Sequence, residues 1–263
     1  MRRLRRILNV PVVAVAIYLA VMAGIVWASY TGARGMGYNW QWYRVPKYIY
    51  TLTDNGFEPG VILIGLWASV RLSAAAFVLA TLLGGLVAAL RLSGLVVGRG
   101  VSVIYLELIR NIPLLVLLYL FYYVLGPIFG LTRWSAAILT LAVFHSALIS
   151  EIFRAGVNSV AQGQWEAAAA IGMSRAQAFA FIIIPQSVRF MLPPLTGEAV
   201  HLIKSSAIVS VIAVAELTTV GRNIISDTYM SFEIWFTIAA VYLALTLILS
   251  FGVSLLERRL NPH

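Results

Sequence analysis

Cysteine is absent and charge is scarce: of 263 residues only 11% are Asp, Glu, Lys or Arg, while 61% are hydrophobic. The first lack excludes disulfides and thiolate metal sites and leaves the redox compartment open. The second excludes an ordinary soluble domain, in which about a quarter of residues are charged. No phosphate cradle of the form G-x-x-x-x-G-K-[ST] occurs; "GEAVHLIKSS" has the wrong spacing and lies in an apolar span. Nor is there H-E-x-x-H, G-x-S-x-G or a cysteine nucleophile, so an enzyme is not expected and no metal site is predicted. Tandem repeats, low-complexity tracts and linkers are also missing, and one membrane domain is the simplest count.

What is present is a series of long apolar runs. A bilayer core takes about 20 consecutive apolar residues per helix. Runs of that order are residues 10–30, 72–90 (preceded by an apolar stretch holding Arg71), 111–130, 134–150, 190–215 and 234–256. The expectation is an all-α integral membrane protein of six transmembrane helices. The opening "MRRLRRILNV" and its apolar run could be read as a cleavable signal, but the run exceeds the 7–15 residues usual there, so a retained helix is expected.

Lysine and arginine in short loops mark the cytoplasmic side. With the N-terminus inside, that side collects Arg2, Arg3, Arg5, Arg6, Arg91, Arg99, Arg154, Arg175, Arg189, Arg258 and Arg259. Arg34, Arg44, Lys47, Arg133 and Arg222 fall outside. Both termini are then cytoplasmic. The net charge of +9 is accounted for by arginines bracketing spans, not by nucleic-acid binding. The outer segment "YNWQWYRVPKYIY" has the aromatic content of an interfacial belt.

The connection between the fourth and fifth spans, about 151–189, is long for a helical bundle. It holds "QWEAAAAIGMSRAQAFAFIIIPQS". "WEAAAAI" favours helix, since alanine loses no side-chain entropy, and Gly172 ends it. Ser174 and Gln177 then have capping-box spacing. The second helix is expected to stop near Pro185, which lacks an N–H. Residues alone leave two readings, an amphipathic connector resting at the interface or a docking element.

Glu166-Ala167-Ala168, Gly172, Ile182 and Pro185 resemble the EAA signature of ATP-binding-cassette importer permeases, with Ile184 where leucine is usual. "GLWASVRLS", "YLELIRNIPLLVLLYLFYYVLG", "HSALISEIFRAGVNSVAQGQWEAA", "PQSVRFMLPPLTGEAVHLIKSSAIVSVIAVAELT" and "LLERRL" resemble, in order, segments of its polar amino acid branch, the histidine/glutamine/glutamate permease-like family. The resemblance runs from about Gly65 to Arg259. It implies a five-helix permease core, residues 61–263, with residues 1–60 adding a helix and an external segment. It also implies that Glu166 contacts a cytoplasmic ATPase dimer and that Gly172 sets the turn of a coupling helix.

Further expectations follow from the resemblance. This chain binds no cofactor, while ATP and Mg act on the partner ATPase. A second permease subunit, identical or paralogous, completes the path, and a periplasmic amino-acid-binding protein delivers a polar amino acid, glutamate or glutamine first. The location is a bacterial inner membrane. The alternatives are a same-fold permease for another solute or a proton-coupled secondary transporter.

Ionisable groups inside a bilayer mostly face a bundle interior or a watery path. At 3.6 residues per turn, Glu198, His201 and Ser205 share one face of the fifth span, with Lys204 beside His201. They either line the substrate pathway, Glu198 facing an ammonium and Lys204 a carboxylate, or pair internally; the secondary-transporter reading makes Glu198, His201 and Lys204 a proton relay. Glu107 and Arg110, three apart, can pair along a helix face, and a structural role near the cytoplasmic gate is expected ahead of substrate contact. His145 is expected to be a hydrogen-bonded core residue.

Overall fold

The computed structural model describes residues 11–54 and 56–260. The described chain is almost entirely helical. Arg2, Arg3, Arg5 and Arg6, on which the orientation argument partly rests, lie outside the described residues. The chain divides into two compact units after Trp42. The first contains α1 (Pro11–Gly35), a 25-residue helix with an apolar surface. Tyr38 follows it and meets Trp40 edge to face, 5.1 Å between centroids, and Trp40 stacks parallel to Trp42 at 6.3 Å.

The second unit opens with a one-turn helix and a hairpin, Tyr50–Thr53 paired antiparallel with Gly56–Pro59, which the sequence reading did not foresee. The long helices follow: α2 (Val61–Leu92), α3 (Val96–Asn111), α4 (Leu114–Phe129), α5 (Arg133–Asn158), α6 (Gln162–Ala170), α7 (Arg175–Ile212), α8 (Leu217–Thr228) and α9 (Ser231–Leu260). Among the described residues five helices, α1, α2, α5, α7 and α9, are each long and apolar enough to cross a membrane. The pair α3 and α4 makes a sixth span if counted as one.

That pair corrects the expectation of a straight third span over 111–130. The two arms meet at 104°. Pro113 excludes helical geometry from the residue before it, and Ile112 is accordingly extended, with φ −95° and ψ 126°. Each arm covers one end of the α2–α5 pair. Leu106 packs with Val87 and Ala147, while Leu118 packs with Leu72 and Leu141.

α5 is the most enclosed span. It lies so close to α2 that a Cβ on Gly84 would stand 2.9 Å from the Ser146 carbonyl oxygen and from Ile149 Cγ2, so only glycine fits there. At its far end Arg91 of α2 pairs with Glu151, which also holds Arg154 at 2.8 Å. α5 therefore continues through Glu151 to Asn158, and the connector is shorter than the expected 151–189: residues 159–174 separate α5 from α7.

A second correction concerns Pro185. The helix does not stop there but runs through it. Phe179–Ile183 form a π turn directly before the helical stretch Ile184–Ser205. Widening the ladder for one turn accommodates a residue that cannot donate its own hydrogen bond.

Candidate functional site

Between α5 and α7 the chain writes a small, closed unit. α6 ends in a Schellman motif: the Gly172 N–H donates to Ala169 O at 3.0 Å and the Met173 N–H to Ala168 O at 3.1 Å. Gly172 has φ +78°, a conformation that a side chain disfavours. Two residues on, the Ser174 hydroxyl accepts the Gln177 N–H at 3.3 Å and the Gln177 side chain accepts the Ser174 N–H at 2.9 Å. The capping box expected from sequence is complete.

This hairpin is held to the bundle by an apolar cluster in which Trp165, Phe179 and Ile182 pack on buried Val160 and Ile183. Ala168 is buried, whereas Glu166, Ala167, Gly172 and Pro185 are exposed. The signature residues thus divide into one face that anchors and another that is free. Ile171, 75% exposed beside them, extends the free face with apolar surface.

The second constellation lies along α7. Glu198 Oε1 is 2.5 Å from Nδ1 of His145 on α5. A carboxylate only accepts, so the imidazole N–H donates. His145 is fully buried and the Glu198 side chain 12% exposed, while His201 stands 57% exposed with its Nδ1 3.9 Å from the same carboxylate oxygen. The two imidazoles meet edge to face, 5.6 Å between centroids. The carboxylate is therefore held between an enclosed imidazole and an open one, and the shared hydrogen bond offsets its desolvation.

The rest of the expected stripe falls elsewhere. The Ser205 hydroxyl donates to the His201 carbonyl of its own helix at 3.1 Å. Lys204 is exposed and forms no ion pair among the described residues. Glu107 and Arg110 do not pair, which corrects that expectation: the Asn111 amide takes both the Glu107 carbonyl, at 2.6 Å, and its carboxylate, at 3.2 Å. Asn111 lies four residues on, and the helix ends at that turn. Glu107 and Arg110 both remain exposed.

Two features had no expectation at all. The partner of Glu198 lies 53 residues earlier on another helix, a separation that no local pattern reports. Glu216, fully buried, caps α8: it accepts the Thr218 and Thr219 N–H groups at 2.9 and 2.8 Å and hydroxyls from Ser69 at 3.2 Å and Tyr242 at 3.0 Å. A signal for it exists in "AELTT", an acidic residue directly before a helix start.

Comparison with known proteins places this architecture. Residues 80–262 match the family described as binding-protein-dependent transport system inner membrane component. The chain is 39% identical over 198 residues to a probable glutamine ABC transporter permease protein, GlnM, of Bacillus subtilis, covering 74% of this chain and 89% of that one. It is 36% identical to the glutamine transport system permease protein GlnP of Escherichia coli, with the same coverage. The nopaline transport system permease protein NocM of Agrobacterium fabrum is 38% identical over 67% of this chain and 78% of its own.

Among solved structures, an amino acid ABC transporter crystallised with histidines superposes with a TM-score of 0.72 at 39% identity, over 76% of this chain and 94% of that one. The MetNI methionine ABC transporter shares the fold at 16% identity and a TM-score of 0.63. Like these relatives the chain is a multi-pass membrane permease subunit, not an enzyme. It belongs to the binding-protein-dependent transport system inner membrane component family.

Proposed function

We propose that this chain is the permease subunit of an importer for polar amino acids, with glutamine and glutamate the favoured substrates, driven by ATP hydrolysed with Mg on a separate cytoplasmic ATPase dimer. The observation that carries the reading is the closed hairpin between α5 and α7, which presents Glu166 and Gly172 on its free face. A rigid projection joined directly to a spanning helix is what a motor subunit needs to push on. The relatives' names supply the substrate class.

In this reading the hairpin and both termini face the cytoplasm, a second permease subunit completes the path, and a periplasmic binding protein delivers the amino acid. Glu198, His201 and Ser205 border the pathway. Lys204, exposed and in no ion pair among the described residues, meets the substrate carboxylate. Glu107 and Arg110, exposed on α3, serve the cytoplasmic gate.

The test is purification of the chain in mild detergent from its native membrane, wild type against Glu166→Ala, with identification of the proteins that accompany it. An ATPase subunit bearing a phosphate cradle, present with wild type and depleted at least several-fold with the variant, supports the reading. A chain that arrives alone and moves substrate down a proton gradient in vesicles refutes it. For the pathway, Glu198→Gln and Lys204→Gln should each lower substrate-stimulated transport in assembled complexes; unchanged transport in both removes those residues from the path.

A further inference from the structure

We propose that His145, Glu198 and His201 form a binding site for a first-row divalent cation of the zinc type, closed across α5 and α7. One donor atom from each of the three lies within 4.8 Å of the other two. Two imidazoles and a carboxylate are a ligand set that zinc takes when its fourth position is left to water. Glu198 and His201 sit three apart on one helix, the Glu-x-x-His spacing by which helical bundles present two ligands inward, and the third ligand comes from the helix packed against them.

The distances fit an apo site. Donors about 2.0–2.1 Å from a tetrahedral zinc are roughly 3.3 Å from one another. The separations from Glu198 Oε1, 2.5 Å to His145 and 3.9 Å to His201, straddle that value. Rotation of the Glu198 and His201 side chains, the latter 57% exposed, equalises them without backbone movement. His145 is fixed in the core; a metal on Nδ1 takes the place of the proton now donated to Glu198, and the neutral ring then carries its proton on the buried Nε2. Access is from the His201 side, which also leaves room for water as a fourth ligand.

The ion would join α5 to α7 through donors on both, so a bound metal would hold the two spans in one arrangement. The site stands without the transport reading, and its test is binding. The chain has no cysteine and only three histidines, two of them here, so background from other strong ligands is low.

The experiment uses full-length protein in mild detergent, carrying a purification tag free of histidine. Zinc uptake is measured by equilibrium dialysis and coordination by the visible absorption of Co2+. Wild type and His263→Ala should take up about one zinc per chain and give four-coordinate cobalt bands. His201→Ala and Glu198→Gln each delete a direct ligand and should weaken binding by more than about 100-fold, beyond the roughly 10- to 100-fold that loss of an outer-shell partner costs. Zinc should raise the melting temperature of wild type and leave that of His201→Ala unmoved. Failure of wild type to take up zinc stoichiometrically overturns the proposal, as does uptake by His201→Ala equal to wild type; since His201 is exposed, that variant keeps its fold. Binding without any associated ATPase would refute the transport reading alone.

Discussion

Replacing Glu216 by alanine should be among the most damaging single changes outside the pathway. The carboxylate is fully buried where α2, α8 and α9 meet and accepts from two backbone N–H groups and from the hydroxyls of Ser69, Tyr242 and Thr219. Loss of an N-cap costs about 1 kcal/mol, and each buried donor left without an acceptor about 1–3 kcal/mol. Interhelical hydrogen bonds in membranes average only about 0.6 kcal/mol because the unfolded chain also finds partners. Weighting toward that lower figure gives roughly 4 kcal/mol for Glu216→Ala. Tyr242→Phe removes one donor and should cost about 1 kcal/mol; the phenol's other contact, Thr218 Oγ1 at 3.2 Å, is partly open and replaceable. At about 2–4 °C per kcal/mol for a chain of this size, Glu216→Ala should melt about 8–16 °C below wild type in detergent, and Tyr242→Phe about 2–4 °C below. In the double variant the Tyr242 contribution should vanish, since its partner is already gone. A Glu216→Ala protein that melts within 2 °C of wild type would refute the assignment of the carboxylate as the polar centre of that junction.

Other outcomes follow from single positions. Gly172→Ala places a side chain at φ +78°, a strain of about 1–2 kcal/mol; nothing else lies within reach of its Cβ, so thermal stability should fall by only a few degrees while ATPase co-purification drops. Gly84→Val forces α2 and α5 apart at the Ser146 carbonyl; overpacking of this kind costs about 1–3 kcal/mol, to be read as a lowered melting temperature and a reduced yield of folded protein. Ser174→Ala removes one half of the capping box at about 1 kcal/mol, and native-state hydrogen exchange should rise at the first turn of α7 without a change in the core of α5.

Legibility in the sequence followed the range of each interaction. Apolar runs show directly, and five of the expected spans appear as single helices. The capping box and the Gly172 turn were readable because all their partners lie within five residues. Pro113 was passed over because it sits inside an uncharged run, where hydropathy outweighs backbone geometry until the 104° bend is seen. Pro185 was read as a stop by a rule that is sound for an α ladder but is relieved by a π turn, and packing of Ile183 into the adjoining cluster holds that turn in place. The Glu198 stripe was visible as helical spacing. Its meaning was not, because His145 comes from another helix, and a contact across 53 residues leaves no periodic trace.

The hairpin and the polar cluster are linked by one element, since α7 begins at the hairpin's cap and carries Glu198 and His201 farther along. Between them α7 packs on α5 where Met191 lies against Gly156, at which a Cβ would be 2.3 Å from Met191 Cγ. At about 1.5 Å per residue, Ser174 lies roughly 26 Å along the helix on one side of this contact and Glu198 roughly 10 Å on the other. Treated as a rod pivoting there, α7 converts a displacement of about 2 Å at the hairpin into about 0.8 Å at Glu198. A hydrogen bond of 2.5 Å stretched by that amount is at the outer limit of the interaction. On the docking role proposed for the hairpin, a push there of the size that subunit interfaces commonly deliver would stretch the His145–Glu198 pair to that limit.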